Sequence, residues 1–227
     1  MAFGPWMEVR EGDVHLRLGP IRRDDAHRFV AADAGFGLQS YEVQRYLGGP
    51  AVPTEQAEEE WWDKASKDEG SFSWGVYLPD GDDAWKLVGN TSLSFRRDRR
   101  QAESGFVLFD RAHWRQRVAS TAHLGRTLFA FRALDLLAIT SSVAAPNAGS
   151  NRALLGVGYV QTGTCYSLGV VDGKTVDSVE YLLPNPEEES WRFFWRRPDC
   201  DIREEFHRGR DRAVETLARA ARAVTFL

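Results

Sequence analysis

Residues 102–131 read AESGFVLFDRAHWRQRVASTAHLGRTLFAF, and they carry the clearest pattern of structural elements in the chain. Its first part, Glu103 to Phe109, predicts a strand. Apolar and small residues then recur at helical spacing from Arg117 to Leu134, which predicts a long helix. The small residues at the start of that helix suit close packing on a sheet. The stretch therefore predicts a strand, a short loop and a helix that lies against the sheet.

The sequence on either side predicts more strands than helices. Asp24 and Thr54 are plausible N-caps of two early helices, and residues 150–157 form a third short helical pattern before Gly158. The further strands are predicted at residues 14–18, 72–78, 86–95, 138–143, 159–163 and 178–183. Three antiparallel strands that lead into a strand–helix–strand unit predict an α+β fold, with a mixed, mostly antiparallel central sheet flanked by helices.

The last part of the chain differs in character from the rest. We expect one domain over residues 1–185 and an extension over 186–227 that ends in an appended C-terminal helix. An aromatic group, Trp191, Phe193 and Trp195, precedes that helix and suggests a plug. The helix could contact a second copy in a homodimer or close over the domain as a lid, and both alternatives are open.

Composition limits the classes of function. The chain is 43% hydrophobic and 27% charged with a net charge of −4, which is typical of an ordinary globular protein and disfavours nucleic acid as a partner. Cys165 and Cys200 form no metal-binding pattern, so no metal is expected, and two free thiols favour a reducing compartment. We find no signal peptide and no apolar run that could span a membrane, and we expect a cytoplasmic protein.

Two motifs resemble the GNAT family of N-acetyltransferases, and within it the ribosomal-protein and small-amine branch. Residues 114–122, WRQRVASTA, are similar to the family pattern Trp-Gly-Lys-Gly-Tyr-Ala-Thr-Glu-Ala. The family's Asn-x-x-Ser-x-x-x-Leu-x-x-x-Gly-Phe element is matched by Asn147, Ser150, Leu154, Gly158 and Tyr159. The resemblance covers about residues 14–183, and the order and spacing of the two motifs carry it.

The resemblance implies acetyl-CoA as co-substrate. A helix N-terminus has unpaired N–H groups that bind anions, and in the family this loop holds the pyrophosphate of coenzyme A. The implied catalytic residues are Glu103 as general base and Ser150 as a hydrogen-bond partner or proton donor to the sulfur. The implied coenzyme-binding residues are Phe109, Arg115, Gln116, Arg117, Val118, Ala119, Asn147 and Ser150.

Three departures from the family pattern bear directly on the expected chemistry. Arg115 and Arg117 stand where the family carries glycine. Leu154 stands where many members carry a tyrosine that acts as the general acid. The arginines could point outward and bind phosphate, they could fill the loop that holds the pyrophosphate, or they could be solvated without a ligand. An arginine at a helix N-terminus opposes the helix dipole, which favours a compensating anion.

The expected function is transfer of an acetyl group from acetyl-CoA to a primary amine by direct attack. The acceptor would be an amine-bearing small molecule or a protein N-terminus. Two alternatives remain open: a GNAT-fold binding or regulatory protein with a degenerate coenzyme loop, and a transferase that uses a different acyl or aminoacyl donor. Aromatic residues of the first half, among them Tyr41 and Tyr46, are candidates for an acceptor cleft.

Overall fold

The structure is a computed structural model, and it describes residues 3–30, 37–47, 54–96, 100–188 and 203–227. The strands are β1 (Met7–Glu11), β2 (Val14–Gly19), β3 (Ser71–Asp80), β4 (Ala84–Arg96), β5 (Gln101–Leu108), β6 (Ala138–Ala144), β7 (Val160–Val171), β8 (Lys174–Pro184) and β9 (Val224–Phe226). The helices are α1 (Ala26–Val30), α2 (Tyr41–Gln44), α3 (Glu55–Ala65), α4 (Val118–Leu128), α5 (Ala148–Val157) and α6 (Arg203–Ala223).

Within these residues the strands form one sheet in the order β7-β8-β6-β5-β4-β3-β2-β1-β9. Neighbouring strands are antiparallel except β5 and β6, which are parallel. The helix α4 connects these two strands, as a parallel pair requires a crossover. This arrangement confirms the predicted α+β fold with a mixed, mostly antiparallel sheet flanked by helices.

Each face of the sheet carries its own apolar cluster. The larger cluster includes Trp74, Leu124, Ile139 and Leu217 and lies beneath α4, α5 and α6. The smaller cluster lies on the opposite face, beneath α1 and α3, and contains Phe29, Tyr77, Phe109 and the partly buried Trp61 and Trp62. The chain is therefore layered as helices, sheet and helices. The strands β5 and β6 run through its middle.

The edge of the sheet beside β2 was not predicted. Residues 7–11 form β1, and residues 224–226, which the sequence assigns to the C-terminal helix, form β9 and pair with β1. The unpaired edge of β1 offers backbone hydrogen bonds to an apolar, β-branched segment, and this overrides helical continuation. The helix α6 packs on α4 and α5. Trp191, Phe193 and Trp195 lie outside the described residues.

Two helices begin at a side-chain cap, and one of these caps, Thr54, was predicted. Thr54 caps α3, and its hydroxyl accepts a hydrogen bond from the backbone N–H of Ala57 at 3.1 Å. The helix α5 begins two residues earlier than predicted, because Asn147 caps it and accepts from the N–H of Ser150 at 3.2 Å. An asparagine at this position satisfies one of the unpaired donors of the first turn.

Candidate functional site

The strands β5 and β6 part from each other after three residues. They pair from Gln101 with Ala138 to Glu103 with Thr140, and beyond that point each strand continues without pairing to the other. At the point of parting, the Ser141 hydroxyl donates to the Ser104 carbonyl oxygen across 3.4 Å. The result is a wedge-shaped opening in the middle of the sheet, with its apex at Ser104. Backbone groups along such an unpaired edge can bind an extended ligand.

The wide end of this opening leads to the N-terminus of α4. The Thr121 N–H bonds to the Arg117 carbonyl at 2.9 Å, and the N-cap Arg117 makes no side-chain capping bond. The backbone N–H groups of Val118, Ala119 and Ser120 therefore lack intrahelical partners. Three adjacent N–H groups at the positive end of a helix favour an anion such as a pyrophosphate.

Both loop arginines have left-handed backbone conformations. The φ angle is 64° at Arg115 and 63° at Arg117, in the region that glycine adopts without strain and that costs other residues about 1–2 kcal/mol each. The loop backbone therefore has the shape that glycines at these positions would permit. The two positions share this backbone geometry and differ in what their side chains contact.

The two guanidinium groups have different surroundings. The Arg117 guanidinium lies 3.5 Å from the Glu11 carboxylate at the β1–β2 turn, and Arg219 of α6 pairs with the same carboxylate. Arg115 is exposed and forms no ion pair with the described residues. Arg117, although 58% exposed, is thus paired with a carboxylate of the protein, whereas Arg115 is available to a ligand.

The side chains of three other predicted coenzyme contacts are buried or already hydrogen-bonded within the protein. Phe109 is fully buried, with its ring 5.0 Å from that of Phe29, so only its backbone can face a ligand. The Gln116 side chain donates to the Ala112 carbonyl at 2.8 Å. Val118 is 3% exposed, so it too offers its N–H group rather than its side chain.

The N-terminus of α5 lies at the end of β6, on the other side of the opening. Asn147 uses its side-chain oxygen as the cap, which orders the loop. The Ser150 hydroxyl makes no hydrogen bond with the described residues, so it is available to a ligand. Leu154 is 4% exposed and belongs to the larger apolar cluster, so it supplies no acid.

Glu103 lies at the last paired position before the opening and beside a hollow. Its carboxylate is about half exposed, at 48%, and lies 3.3 Å from Arg96. The nearby Glu180 carboxylate accepts from the Ser142 hydroxyl at 2.8 Å. The hollow has a volume of about 160 Å³, and it is lined by Arg96, Glu103, Thr140, Ser141, Thr162, Glu180, Tyr181 and Leu182.

The sequence did not predict a strap of chain, residues 37–47, that crosses the opening. Gly37 donates its N–H to the Phe109 carbonyl at 3.2 Å, on the β5 side. Tyr46 donates to the Pro146 carbonyl at 3.4 Å on the β6 side, and Tyr41 and Arg45 both contact Asp172 at the β7–β8 turn. The signal for this strap was the pair of tyrosines, Tyr41 and Tyr46.

A buried polar cluster around Arg126 also escaped sequence reasoning. Arg126 is 0% exposed, and it contacts His123 of its own helix and Tyr159 at the end of α5. The available signal was an arginine among the small, apolar and uncharged polar residues of α4. The cluster lies on the α4 side of the sheet, behind the apex of the opening.

Among the residues that the structure describes, no group of three or more His, Cys, Asp or Glu side chains is arranged to hold a metal ion. None of the described helices combines the length and the apolar character needed to cross a membrane. Cys165 is an exposed free thiol, and Cys200 lies outside the described residues.

Parted parallel strands beside a helix N-terminus with unpaired N–H groups form a site that suits an extended ligand with an anionic group. Residues 15–160 match the family model described as the acetyltransferase (GNAT) domain. The chain belongs to the GNAT family, and it is an acetyltransferase that uses acetyl-CoA. No curated protein sequence matches the chain significantly.

Solved structures show the same fold. The Mycobacterium smegmatis RimJ structure in complex with CoA-disulfide is 17% identical, with a TM-score of 0.65 over 99% of this chain and 96% of that chain. The Vibrio cholerae spermidine N-acetyltransferase in complex with CoA and spermine is 18% identical, with a TM-score of 0.64 over 74% and 95%. A GNAT-family acetyltransferase from Bacillus anthracis is 18% identical, with a TM-score of 0.62 over 79% and 98%. At these identities the likeness concerns the fold alone.

Proposed function

We propose that the amide loop before α4 binds the pyrophosphate of acetyl-CoA and that the pantetheine arm lies between β5 and β6. The observation that carries this proposal is the left-handed backbone at Arg115 and Arg117, which gives the loop a glycine-like shape. The backbone N–H groups of Val118, Ala119 and Ser120 would hold the phosphates. Such a backbone counts against a degenerate loop, and therefore against a protein that has lost coenzyme binding.

The reaction that we propose is acetyl transfer to a primary amine by direct attack. Acetyl-CoA supplies the acetyl group as a thioester, and the amine nitrogen forms a bond to the acetyl carbon while the carbon–sulfur bond breaks and sulfur takes the electron pair. Glu103, at the apex of the opening, accepts the proton that the amine loses, directly or through one water. Ser150 donates its free hydroxyl toward the sulfur from the N-terminus of α5.

The acceptor site that we propose is the hollow beside Glu103. Its lining includes the carboxylates of Glu103 and Glu180 and the guanidinium of Arg96. Two carboxylates against one cation favour a protonated amine over a neutral or acidic acceptor. The strap formed by residues 37–47 covers the opening and would limit the size of the acceptor. Both a polyamine and a protein N-terminus fit this charge pattern.

A base test compares Glu103→Gln with Glu180→Gln. We expect Glu103→Gln to lower kcat by about 100-fold or more with little change in the KM for acetyl-CoA, because a general base contributes about 10²–10⁴ in rate. We expect Glu180→Gln to raise the KM for the acceptor instead. Release of free CoA thiol is measured with spermidine and with a short peptide that has a free N-terminus, and mass spectrometry identifies the product. Wild-type protein that acetylates no amine in such a panel would contradict the proposed function.

The two arginines allow a second test of the coenzyme loop. We expect Arg115→Gly to weaken CoA binding about five- to tenfold, because it removes an exposed cation from the phosphate site. Arg117→Gly should leave binding within about twofold, because its guanidinium is paired with Glu11 and the glycine keeps the left-handed backbone. Isothermal titration with CoA measures both. Tighter binding by the Arg115 variant would mean that this side chain obstructs the site.

We also propose that the enzyme works in the cytoplasm. Its exposed free thiol at Cys165 suits a reducing compartment. We also propose that the chain forms a homodimer, because two-fold dimers of one chain are the commonest soluble oligomers.

A further inference from the structure

The buried cluster around Arg126 has hydrogen-bond partners that are all neutral. One terminal nitrogen, Nη1, donates to the Thr91 hydroxyl at 2.7 Å and to the Gly105 carbonyl at 3.0 Å. The other, Nη2, lies 2.6 Å from His123 Nδ1 and 3.3 Å from the Tyr159 hydroxyl. The guanidinium therefore has good geometry toward four groups, and none of these groups is a carboxylate.

The charge of this cluster is consequently uncompensated. Burial, together with the neighbouring Arg126 cation, lowers the pKa of His123 well below its ordinary value, so the imidazole is neutral and accepts from Arg126. Burial also lowers the pKa of Arg126, but a guanidinium is so strong a base that it stays protonated at neutral pH. None of the described carboxylates forms an ion pair with it. Burying a cation without a nearby anion destabilises the folded protein unless other interactions offset the lost solvation.

The cation lies behind the apex of the opening. Its partner Gly105 follows Ser104 on β5, in the part of the strand that β6 no longer pairs. Its position on α4 is eight residues after Val118, which is about 12 Å along a helix axis from the proposed phosphate site. A ligand whose phosphates sit at the start of α4 and whose chain runs along β5 therefore brings its far end toward Arg126.

A short chain of hydroxyl groups connects Arg126 to the apex. Because Arg126 donates to the Tyr159 oxygen, the Tyr159 proton is free to point elsewhere. The Ser104 hydroxyl lies 3.4 Å from that oxygen, and Ser104 is 9% exposed. The His123 ring packs against Phe106, with centroids 5.3 Å apart, which fixes the imidazole beside the same strand.

From this geometry we infer that Arg126 is a positioning residue that makes the apex of the opening favourable for an anionic sulfur. The inference rests on the proposed function, in which the CoA sulfur reaches the apex. When the amine nitrogen bonds to the acetyl carbon, the carbon–sulfur bond breaks and sulfur leaves with the electron pair as a thiolate, while the amine proton passes to the general base. Arg126 acts through the Gly105 carbonyl and through Tyr159 and Ser104, and it lowers the energy of that thiolate without touching it.

The test is a titration of the CoA thiol in its complex with the wild-type chain. Thiolate formation is followed by ultraviolet absorbance, and the complex with desulfo-CoA is subtracted to remove the protein signal. We expect bound CoA to ionise at a proton concentration at least tenfold higher than free CoA does. His123 and Tyr159 are the titratable side chains that contact Arg126, and the subtraction removes their contribution. Ionisation of the bound thiol at the same pH as free CoA would overturn the inference.

Variants of Arg126 and Tyr159 separate an effect of charge on the thiol from an effect on folding. Arg126→Lys keeps the charge and should retain most of the shift in thiol ionisation, whereas Arg126→Gln should abolish it. Tyr159→Phe should retain part of it, because the bond to the Gly105 carbonyl remains. A merely structural role for Arg126 would lower the melting temperature in its variants and leave thiol ionisation in the wild type unshifted. CoA that fails to bind the wild type at all would contradict the proposed function, and this outcome is distinct from binding without a shift.

Discussion

Ala119→Glu is expected to weaken CoA binding by at least tenfold while the protein stays folded. Ala119 occupies the second position of α4, where its backbone N–H has no intrahelical partner. A carboxylate there would repel the pyrophosphate, and about 1.4 kcal/mol of repulsion corresponds to tenfold in affinity. The same carboxylate interacts favourably with the helix dipole, by about 0.3–1 kcal/mol, so the melting temperature should stay level or rise. Isothermal titration and thermal denaturation measure the two effects.

Ala119→Gln is the matched control for this variant. It has nearly the same size and shape but no charge, so it should bind CoA within about threefold of the wild type. A loss of affinity in the glutamine variant equal to that in the glutamate variant would indicate a steric effect. CoA binding that is unchanged in Ala119→Glu would mean that the phosphates do not lie at this helix N-terminus.

Gly158→Ala is expected to destabilise the folded protein strongly. Gly158 ends α5 with a φ of 112°, and a Cβ there would lie 2.7 Å from the Ala213 nitrogen and 2.8 Å from the Gly209 carbonyl oxygen. Both are backbone atoms of α6, so neither can rotate away. Backbone strain and overpacking each cost about 1–3 kcal/mol, and we expect a loss of about 3–5 kcal/mol in the free energy of unfolding. Chemical denaturation measures it.

Gly156→Ala provides the control within the same helix. No atom lies within 4 Å of a Cβ at Gly156, and alanine in a helix is about 0.5–1 kcal/mol more favourable than glycine. This variant should therefore be slightly more stable than the wild type. If Gly158→Ala left the free energy of unfolding unchanged, α6 would not pack as closely on the end of α5 as described here.

The sequence predicted those parts of the fold that have local causes. The alternation within β2 and the helical spacing of α4 follow from side-chain periodicity, and the Thr54 cap follows from its own hydroxyl. The strands β1 and β9 could not be found this way, because β9 exists through pairing with a segment more than 200 residues earlier. Non-local pairing overrides the helical tendency of the C-terminal residues.

The candidate site was predictable in part for the same reason. A strand, a loop and a helix start in sequence indicated an anion site between Trp114 and Ser120. The sequence could not show that Arg115 and Arg117 adopt left-handed backbones, or that Arg117 is held by Glu11. The ion pair depends on the β1–β2 turn, which is distant in sequence. The Arg126 cluster depends in the same way on four different elements.

The position of CoA bound to this chain is the most direct test of the proposed coenzyme site. A crystal structure of the complex should place pyrophosphate oxygens roughly 2.7–3.2 Å from the backbone nitrogens of Val118 to Ser120, with the pantetheine arm between β5 and β6 and the sulfur near Ser104. CoA bound at another place would contradict the claim. So would phosphates held by side chains alone, with these amide groups facing solvent.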